Sequence, residues 1–449
     1  MNDFNADAVD DFLTSLERLF FLSLQDLRDV IGDFHDEMQR GLEGKESSLR
    51  MLPSFVGRPA GTEHGDFFAV DLGGTNIRVL AAKLDGRRHA TLTAASRFVI
   101  PKEIREGAGD KLFDFIAGSI KSFFSEQRIS TQRPYDLAFT FSFPVEQISI
   151  VSGRLISWTK GFATSSVEGK DVVALLSEAL RRHEVGFIRV AALVNDTVGT
   201  LAAGSYTDPA CDMGVILGTG TNACYPEKGA RIRKLPGIEP SREMIINIEW
   251  GNFNKLKTNR YDQLLDRASN NKGRQQLEKM VSGMYIGELA RLIIVTMMER
   301  GLIFADKRIP AAFKKGYSWT SEEMAQTVEG DSFLAGCGLE DVSEADVEII
   351  REVCRIVAAR AARLAGALIA AVVGWMDEKL DSDHTIAVDG ALFEKYPGFQ
   401  DRITETLRGL LETRAAKIKL SLANDGSGIG ATILGAVASF SRPEKREGA

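Results

Sequence analysis

The stretch Phe67 to Leu80, FFAVDLGGTNIRVL, decides how the rest of the chain is read. An apolar, β-prone run carries Asp71 at its end, drops into Gly73-Gly74-Thr75-Asn76 and resumes as a second β-prone run from Ile77 to Leu84. Two adjacent glycines let a backbone turn tightly with its N–H groups aimed at one concave spot, and they leave room for phosphoryl oxygens. Thr75 and Asn76 add side-chain donors, Arg78 adds a planar cation, and Asp71 is suited to hold a hydrated Mg²⁺ beside them. An ordinary Gly-Gly hairpin would look the same in isolation.

A related stretch, MGVILGTGTNACY, occurs at Met213 to Tyr225. It is again a buried-strand run into a Gly/Thr/Asn turn and out into a strand, and both turns contain Gly-Thr-Asn, at 74–76 and 220–222. Two phosphate-cradling hairpins about a domain's length apart predict an internally duplicated α/β chain that grips one nucleotide between its halves.

With 449 residues, 44% of them hydrophobic, the chain has material for two full cores. The net charge of −7 argues against a nucleic-acid binder, which needs a basic face, so phosphate chemistry here has to be local. Cys211, Cys224, Cys337 and Cys354 show no CxxC spacing, which predicts neither a zinc ribbon nor a disulfide framework and fits a reduced, cytoplasmic setting. The five histidines show no metal-ligand spacing. The acidic N-terminus reads as an amphipathic helix and lacks the features of a signal peptide. The most apolar run, 364–376, is shorter than the ~20 residues that cross a bilayer and is preceded by several arginines, so it reads as a core helix and no membrane partner is expected.

Periodicity predicts a helical segment before residue 63, helices over 111–127 and 169–183, and strands over 135–143 and 187–194. Beyond the second hairpin it predicts long helices over 274–300 and 346–379, strands at 384–388 and 417–423, a helix over 398–413 and a last helix after the Gly-rich turn at 425–431. This alternation is typical of α/β architecture. No GxxxxGK[ST] is present, and the DGSGIGA run lacks the Rossmann context, so nucleotide binding would use the hairpin type shared by sugar kinases, actin and the 70-kDa chaperones.

The run VAALVNDTVG at 190–199 ends an apolar strand directly in Asn195-Asp196. A carboxylate at a strand's carboxyl edge, between two phosphate hairpins, is where a base for a substrate hydroxyl belongs; helix capping is the alternative use of the same residue. Ser142, Thr159 with Lys160, Glu249 and Glu278 are polar islands in apolar surroundings. Together they describe a polyol site, because a ring of hydroxyls needs amide, carboxylate and hydroxyl partners on several loops.

The motifs DLGGTNIRVL, FTFSFPV, SWTKGF, VNDTVGT, GTGTNACY, NIEWG, SGMYIGELAR, VDGALFEKYP and DGSGIGATILGAV closely resemble, in this order and over roughly residues 10 to 440, the hexokinase family of the eukaryotic hexokinase and glucokinase type. The resemblance implies a two-domain actin-like ATPase (ribonuclease H-like) fold: a small lobe at 64–199, with a C-terminal helix 429–442 packing on it, and a large lobe formed by 1–63 and 200–428. It implies transfer of the γ-phosphoryl of MgATP to the 6-hydroxyl of a hexose, with ATP and Mg²⁺ required, a cytoplasmic location and a monomer or homodimer. By the same resemblance Asp196 is the general base, with Lys160 also catalytic, and Ser142, Thr159, Lys160, Asn195, Asn222, Glu249 and Glu278 bind the sugar. Asp71, Gly73, Gly74, Thr75, Asn76 and Arg78 match the first phosphate segment, with Asp71 holding Mg²⁺ through water. Gly218, Thr219 and Gly220 match the second segment, and Gly390, Gly426 and Ser427 the adenosine side.

Ala138 before the FTFSFP run, Pro226 after ACY and Ala391 after VDG depart from the common family pattern, which leaves sugar range and purine contact open. The chain reads as a single catalytic unit, without the duplicated halves and hydrophobic anchor of the largest members. Two rival readings keep the fold: a non-catalytic hexose sensor, which would be favoured by loss of Asp196 or Asp71, and an actin- or chaperone-like switch, which has no use for the WTKGF, NIEWG and VNDT set.

Overall fold

A computed structural model describes residues 3–158, 162–304, 309–330, 342–423 and 426–440. In chain order its strands are β1 (Leu52–Pro53), β2 (His64–Leu72), β3 (Asn76–Asp85), β4 (Ala90–Val99), β5 (Tyr135–Phe141), β6 (Val145–Ser149), β7 (Ser152–Leu155) and β8 (Ile188–Val194). They continue with β9 (Cys211–Leu217), β10 (Thr221–Lys228), β11 (Glu243–Asn247), β12 (His384–Asp389) and β13 (Ile418–Leu422). One sheet runs β4-β3-β2-β5-β8, a second runs β1-β11-β10-β9-β12-β13, and β6 with β7 forms a separate hairpin.

The two sheets are one plan used twice. In the first, β2, β5 and β8 are parallel, and β2 turns back into the antiparallel β3 and β4. In the second, β9, β12 and β13 are parallel, and β9 turns back into β10 and β11. The parallel strands β5, β8 and β12 are buried along almost their whole length, as strands covered on both faces must be, which is why they read as near-continuous apolar runs. The second strand of the first hairpin is therefore the middle of a meander, whose third strand, β4, alternates too weakly to stand out in the sequence.

Each parallel set feeds a helix that crosses to the other sheet. The Asp196–Thr207 helix follows β8 yet packs on β9, β10 and β12, and the Gly426–Phe440 helix follows β13 yet packs on β2, β3, β5 and β8. The two helices also pack on each other, backbone against backbone: a Cβ added at Gly430 would lie 1.8 Å from the carbonyl oxygen of Gly199. The expected lobe boundary at 199/200 falls inside the Asp196–Thr207 helix, which packs on the second sheet.

The 274–300 segment, expected as one helix, is two, Gln276–Val281 and Gly283–Glu299. They are separated by Ser282 in an extended conformation, because the Gly283 N–H is used elsewhere, on the carbonyl of Gly218. The Glu344–Met376 helix agrees with the long helix expected over 346–379, and it is long and apolar enough by length and composition to cross a membrane. However, 89% of its most apolar window is buried within the protein, so its side chains already have apolar neighbours and it serves as a core helix. Near its middle Arg360, 2% exposed, forms a two-pronged ion pair with Asp262 at 2.7 and 2.8 Å and lies over the Phe20 ring, so its charge is buried but matched. Cys211, Cys224 and Cys354 are buried free thiols, and Cys337 lies outside the described residues.

Candidate active site

The site is built on the carboxyl edges of the two parallel strand sets. In the first sheet, Asp71 pairs with Thr140 and Thr140 with Val194, so Asp71, Ser142 and Asn195-Asp196 leave three adjacent strands at one edge. In the second, Ile216 pairs with Asp389 and Val388 with Leu422, which brings the Gly218 turn, Gly390 and the approach to Gly426 to one edge. Gly390 sits at φ 123°, where a side chain is strained, and an added Cβ would lie 2.4 Å from the Leu217 carbonyl oxygen and 2.7 Å from the Gly218 nitrogen. Gly426 and Ser427 open the crossing helix against Thr200 and Gly199 of the Asp196–Thr207 helix.

Asp196 is the first residue of its helix, and the cap is Asn195. Asn195 is extended (φ −85°, ψ 148°) and its Oδ1 accepts the Thr197 N–H at 2.9 Å. Asp196 Oδ1 accepts the same N–H at 2.8 Å and the Thr197 hydroxyl at 3.3 Å. Capping is thus carried by the neighbour, while the Asp196 carboxylate is oriented at the positive end of a helix that starts in the cleft.

Asn195 and Glu249 line one pocket, together with Asn247, Gln147 and the rings of Phe141 and Phe143 that flank Ser142. Glu249 is held in the left-handed region at φ 56°, a conformation that a non-glycine residue keeps only when its surroundings fix it. Asn222 reaches the same pocket through Asn247: Asn222 Nδ2 donates to Asn247 Oδ1 at 2.8 Å, and Asn247 Nδ2 donates to Glu249 Oε1 at 2.9 Å. Glu278, on the Gln276–Val281 helix, accepts the Thr221 N–H at 3.3 Å beside Gly220. Burial pushes the nearby Tyr285 phenol up to about 12, with the charge of Glu278 adding to the shift, so it stays a neutral hydroxyl.

The first hairpin closes with the Gly73 N–H donating to the Asn76 carbonyl at 3.0 Å, and Asp71 and Arg78 are cross-strand partners at its base. Thr75 is tied through its carbonyl to the Ile100 N–H at 2.9 Å, and its hydroxyl accepts from Asn76 Nδ2 at 2.8 Å. In the second hairpin the carbonyls of Gly218 and Thr219 accept the N–H groups of Gly283 and Met284, at 2.8 and 3.2 Å. Thr159 and Lys160 lie outside the described residues.

Among the described residues no group of three or more His, Cys, Asp or Glu could hold a metal. Asp71, at the carboxyl edge of β2, is a carboxylate that could hold a hydrated Mg²⁺, an ion that needs only one or two protein carboxylates. Asn247 is the residue that the sequence reading did not single out. Its signal was the Asn-x-Glu spacing in NIEWG, with the two side chains on one face at a strand's end.

A family model for hexokinase matches residues 12–206 and a second one, also for hexokinase, matches 212–437. The chain belongs to the hexokinase family. It is 40% identical to hexokinase-3 of Rattus norvegicus over 437 residues, covering 93% of this chain and 46% of that protein. To hexokinase-2 of Homo sapiens it is 39% identical over 460 residues, covering 98% of this chain and 49% of that protein. It therefore spans about half the length of the curated hexokinases it matches. Among solved structures, a hexokinase from Schistosoma mansoni complexed with glucose superposes with a TM-score of 0.87 at 34% identity, covering 96% of this chain and 99% of that one. The hexokinase fold of this chain is thus the actin-like, two-sheet α/β plan described above.

Proposed function

We propose that this chain is an ATP-dependent hexokinase, which transfers the γ-phosphoryl of MgATP to the 6-hydroxyl of a hexose, glucose first, as in the opening step of glycolysis. The observation that carries the reading is Asp196, an oriented carboxylate at a strand edge and helix start, between two glycine hairpins and beside a pocket of amides and carboxylates. The glucose bound to the related Schistosoma mansoni hexokinase supports the choice of sugar.

In this reading Ser142, Asn195, Asn222, Glu249 and Glu278, with Thr159 and Lys160, hold the sugar's hydroxyls, and the second oxygen of Asp196 takes the proton of the 6-hydroxyl as its oxygen bonds to phosphorus. The N–H groups of the 73–76 and 218–220 turns receive the phosphates, Lys160 and Arg78 offset their charge, and Gly390, Gly426 and Ser427 let the adenosine side approach. Bound Mg²⁺ would neutralise phosphate charge, with Asp71 holding it through water. Because phosphoryl transfer has a loose transition state, most of the rate comes from positioning and charge, and closure of the lobes over sugar keeps water from taking its place. The same reading places the protein in the cytoplasm as a monomer or homodimer that binds neither nucleic acid nor membrane; the three buried free thiols support the reducing location.

The test is a coupled assay of the purified chain with MgATP against glucose, mannose, fructose, galactose and N-acetylglucosamine. Glucose turnover in the ordinary enzymatic range of ~1–10³ s⁻¹ is expected. Absence of a phosphorylated product from every sugar would remove the catalytic reading and leave a hexose-binding protein.

A further inference from the structure

Asn247 ends β11 with only 6% of its surface exposed, and it joins two residues assigned to the sugar. Its Oδ1 accepts from Asn222 at 2.8 Å and its Nδ2 donates to Glu249 at 2.9 Å, while Asn222 Oδ1 accepts the Ala223 N–H at 2.8 Å. Amide side chains can be placed either way round from their heavy atoms alone, but this relay has one consistent direction. A backbone N–H can only donate and a carboxylate can only accept, so both amides must turn their NH₂ groups toward Glu249.

We propose that Asn247 is a positioning residue that sets the donor and acceptor polarity of the sugar pocket, and with it the arrangement of hexose hydroxyls the pocket accepts. The inference rests on the hexose reading above. A sugar hydroxyl is donor and acceptor at once, so it takes its orientation from partners that are not. With Asn222 and Glu249 locked, a hydroxyl that meets Glu249 must donate to it, and one that meets the Asn222 NH₂ must accept. Removal of the relay would leave the Asn222 amide held by the Ala223 N–H alone and would loosen Glu249 in its left-handed conformation.

Asn247→Asp is the discriminating variant because it has the same shape. With a proton it can donate to Glu249 and accept from Asn222; without one, two carboxylates face each other. The titratable groups around the position are Glu249, which it contacts, Glu278 behind Thr221, Asp196, and the Cys224 thiol on the paired strand, whose ionisation burial holds far off. Wild type at each pH corrects for all four. Glucose binding is read from Trp250, which adjoins Glu249 and donates to the Thr221 hydroxyl at 2.9 Å, and from the KM for glucose.

The variant is expected to match wild type at about pH 5.5 and to bind glucose roughly tenfold to a hundredfold more weakly at about pH 8, with kcat at saturating sugar changed less than about threefold. Asn247→Ser, too short to span the gap, should show a KM raised by the same order at every pH. Wild-type affinity of Asn247→Asp at about pH 8, or a loss that is the same at both pH values, would overturn the relay. If Asn247→Asp does not fold, Asn247→Ser decides: an unchanged KM overturns the proposal. A wild-type chain that phosphorylates no hexose fails the parent reading and the relay with it, whereas an active wild type with both variants unaffected fails the relay alone.

Discussion

The two glycine hairpins share the tripeptide Gly-Thr-Asn but use it differently. In the first, Leu72 pairs with Ile77 and the whole Gly73-Gly74-Thr75-Asn76 run lies between them. In the second, Leu217 pairs with Thr221, so Thr221 and Asn222 have already entered the strand and the turn is Gly218-Thr219-Gly220. The same three letters therefore place Asn76 in the first turn itself and Asn222 inside a strand, bonded to Asn247 of the pocket. What the two hairpins share is the topology, a parallel strand turning back through glycine at a carboxyl edge, while the tripeptide sits at a different place in each turn.

The hairpins also differ in what holds them. The first is tied by its own closing bond and by Ile100, and Thr75 is exposed at its tip. The second is clamped by the Gly283–Glu299 helix, by Glu278 on the Thr221 N–H, by Trp250 on the Thr221 hydroxyl and by Gly390 against its backbone. Each added hydrogen bond contributes about 0.5–1.5 kcal/mol net, so the second loop is the rigid floor of the site and the first is the part better able to adjust.

The largest effect that would sharpen this contrast is Gly390→Ala. Strain at positive φ and the backbone clash together should cost on the order of 3 kcal/mol, or displace the second hairpin and raise the KM for MgATP at least about tenfold. Thermal unfolding and steady-state kinetics read both. A variant with wild-type Tm and KM would mean that the Gly390 loop does not brace the hairpin.

A smaller but more direct contrast lies in amide exchange. Without ligand, peptides over 217–222 should exchange at least roughly tenfold more slowly than those over 72–77, since the former open only with the helix packed on them. Equal rates would break the comparison.

Local sequence signals end where long-range pairing begins. Strand and helix periods located both hairpins, the β8 edge with Asp196 and the long core helix, because those signals lie within a dozen residues. They could not show that Asn195 rather than Asp196 is the cap, since both are good caps and only φ and ψ distinguish them. Nor could they show that Ser282 breaks a helix to free Gly283 for Gly218, or that Asn247 bridges Asn222 and Glu249, because each depends on a partner far away in sequence.

The smallest expected effect concerns the footing of the second sheet, at the opposite end of its strands from the site. His384, at the start of β12, contacts Asp212 at 2.6 Å and Asp377 at 3.4 Å, and these carboxylates, Asp212 foremost, hold its ionisation above the usual 6.5. A raised folded-state value means that the pairs stabilise fully below about pH 6.5 and that this contribution fades as pH rises through the folded value. Tm should therefore fall more steeply between about pH 6 and 9 in wild type than in His384→Gln. Parallel slopes would remove the histidine as an anchor of β12.

The central claim is that Asp196 takes the proton from the sugar. Asp196→Asn keeps the shape and its oxygen's bond to Thr197 but cannot accept a proton, so kcat for glucose should fall by at least ~100-fold while glucose still binds and circular dichroism is unchanged. A folded Asp196→Asn enzyme that kept more than about a tenth of wild-type kcat would contradict the account and make Asp196 a sugar ligand only.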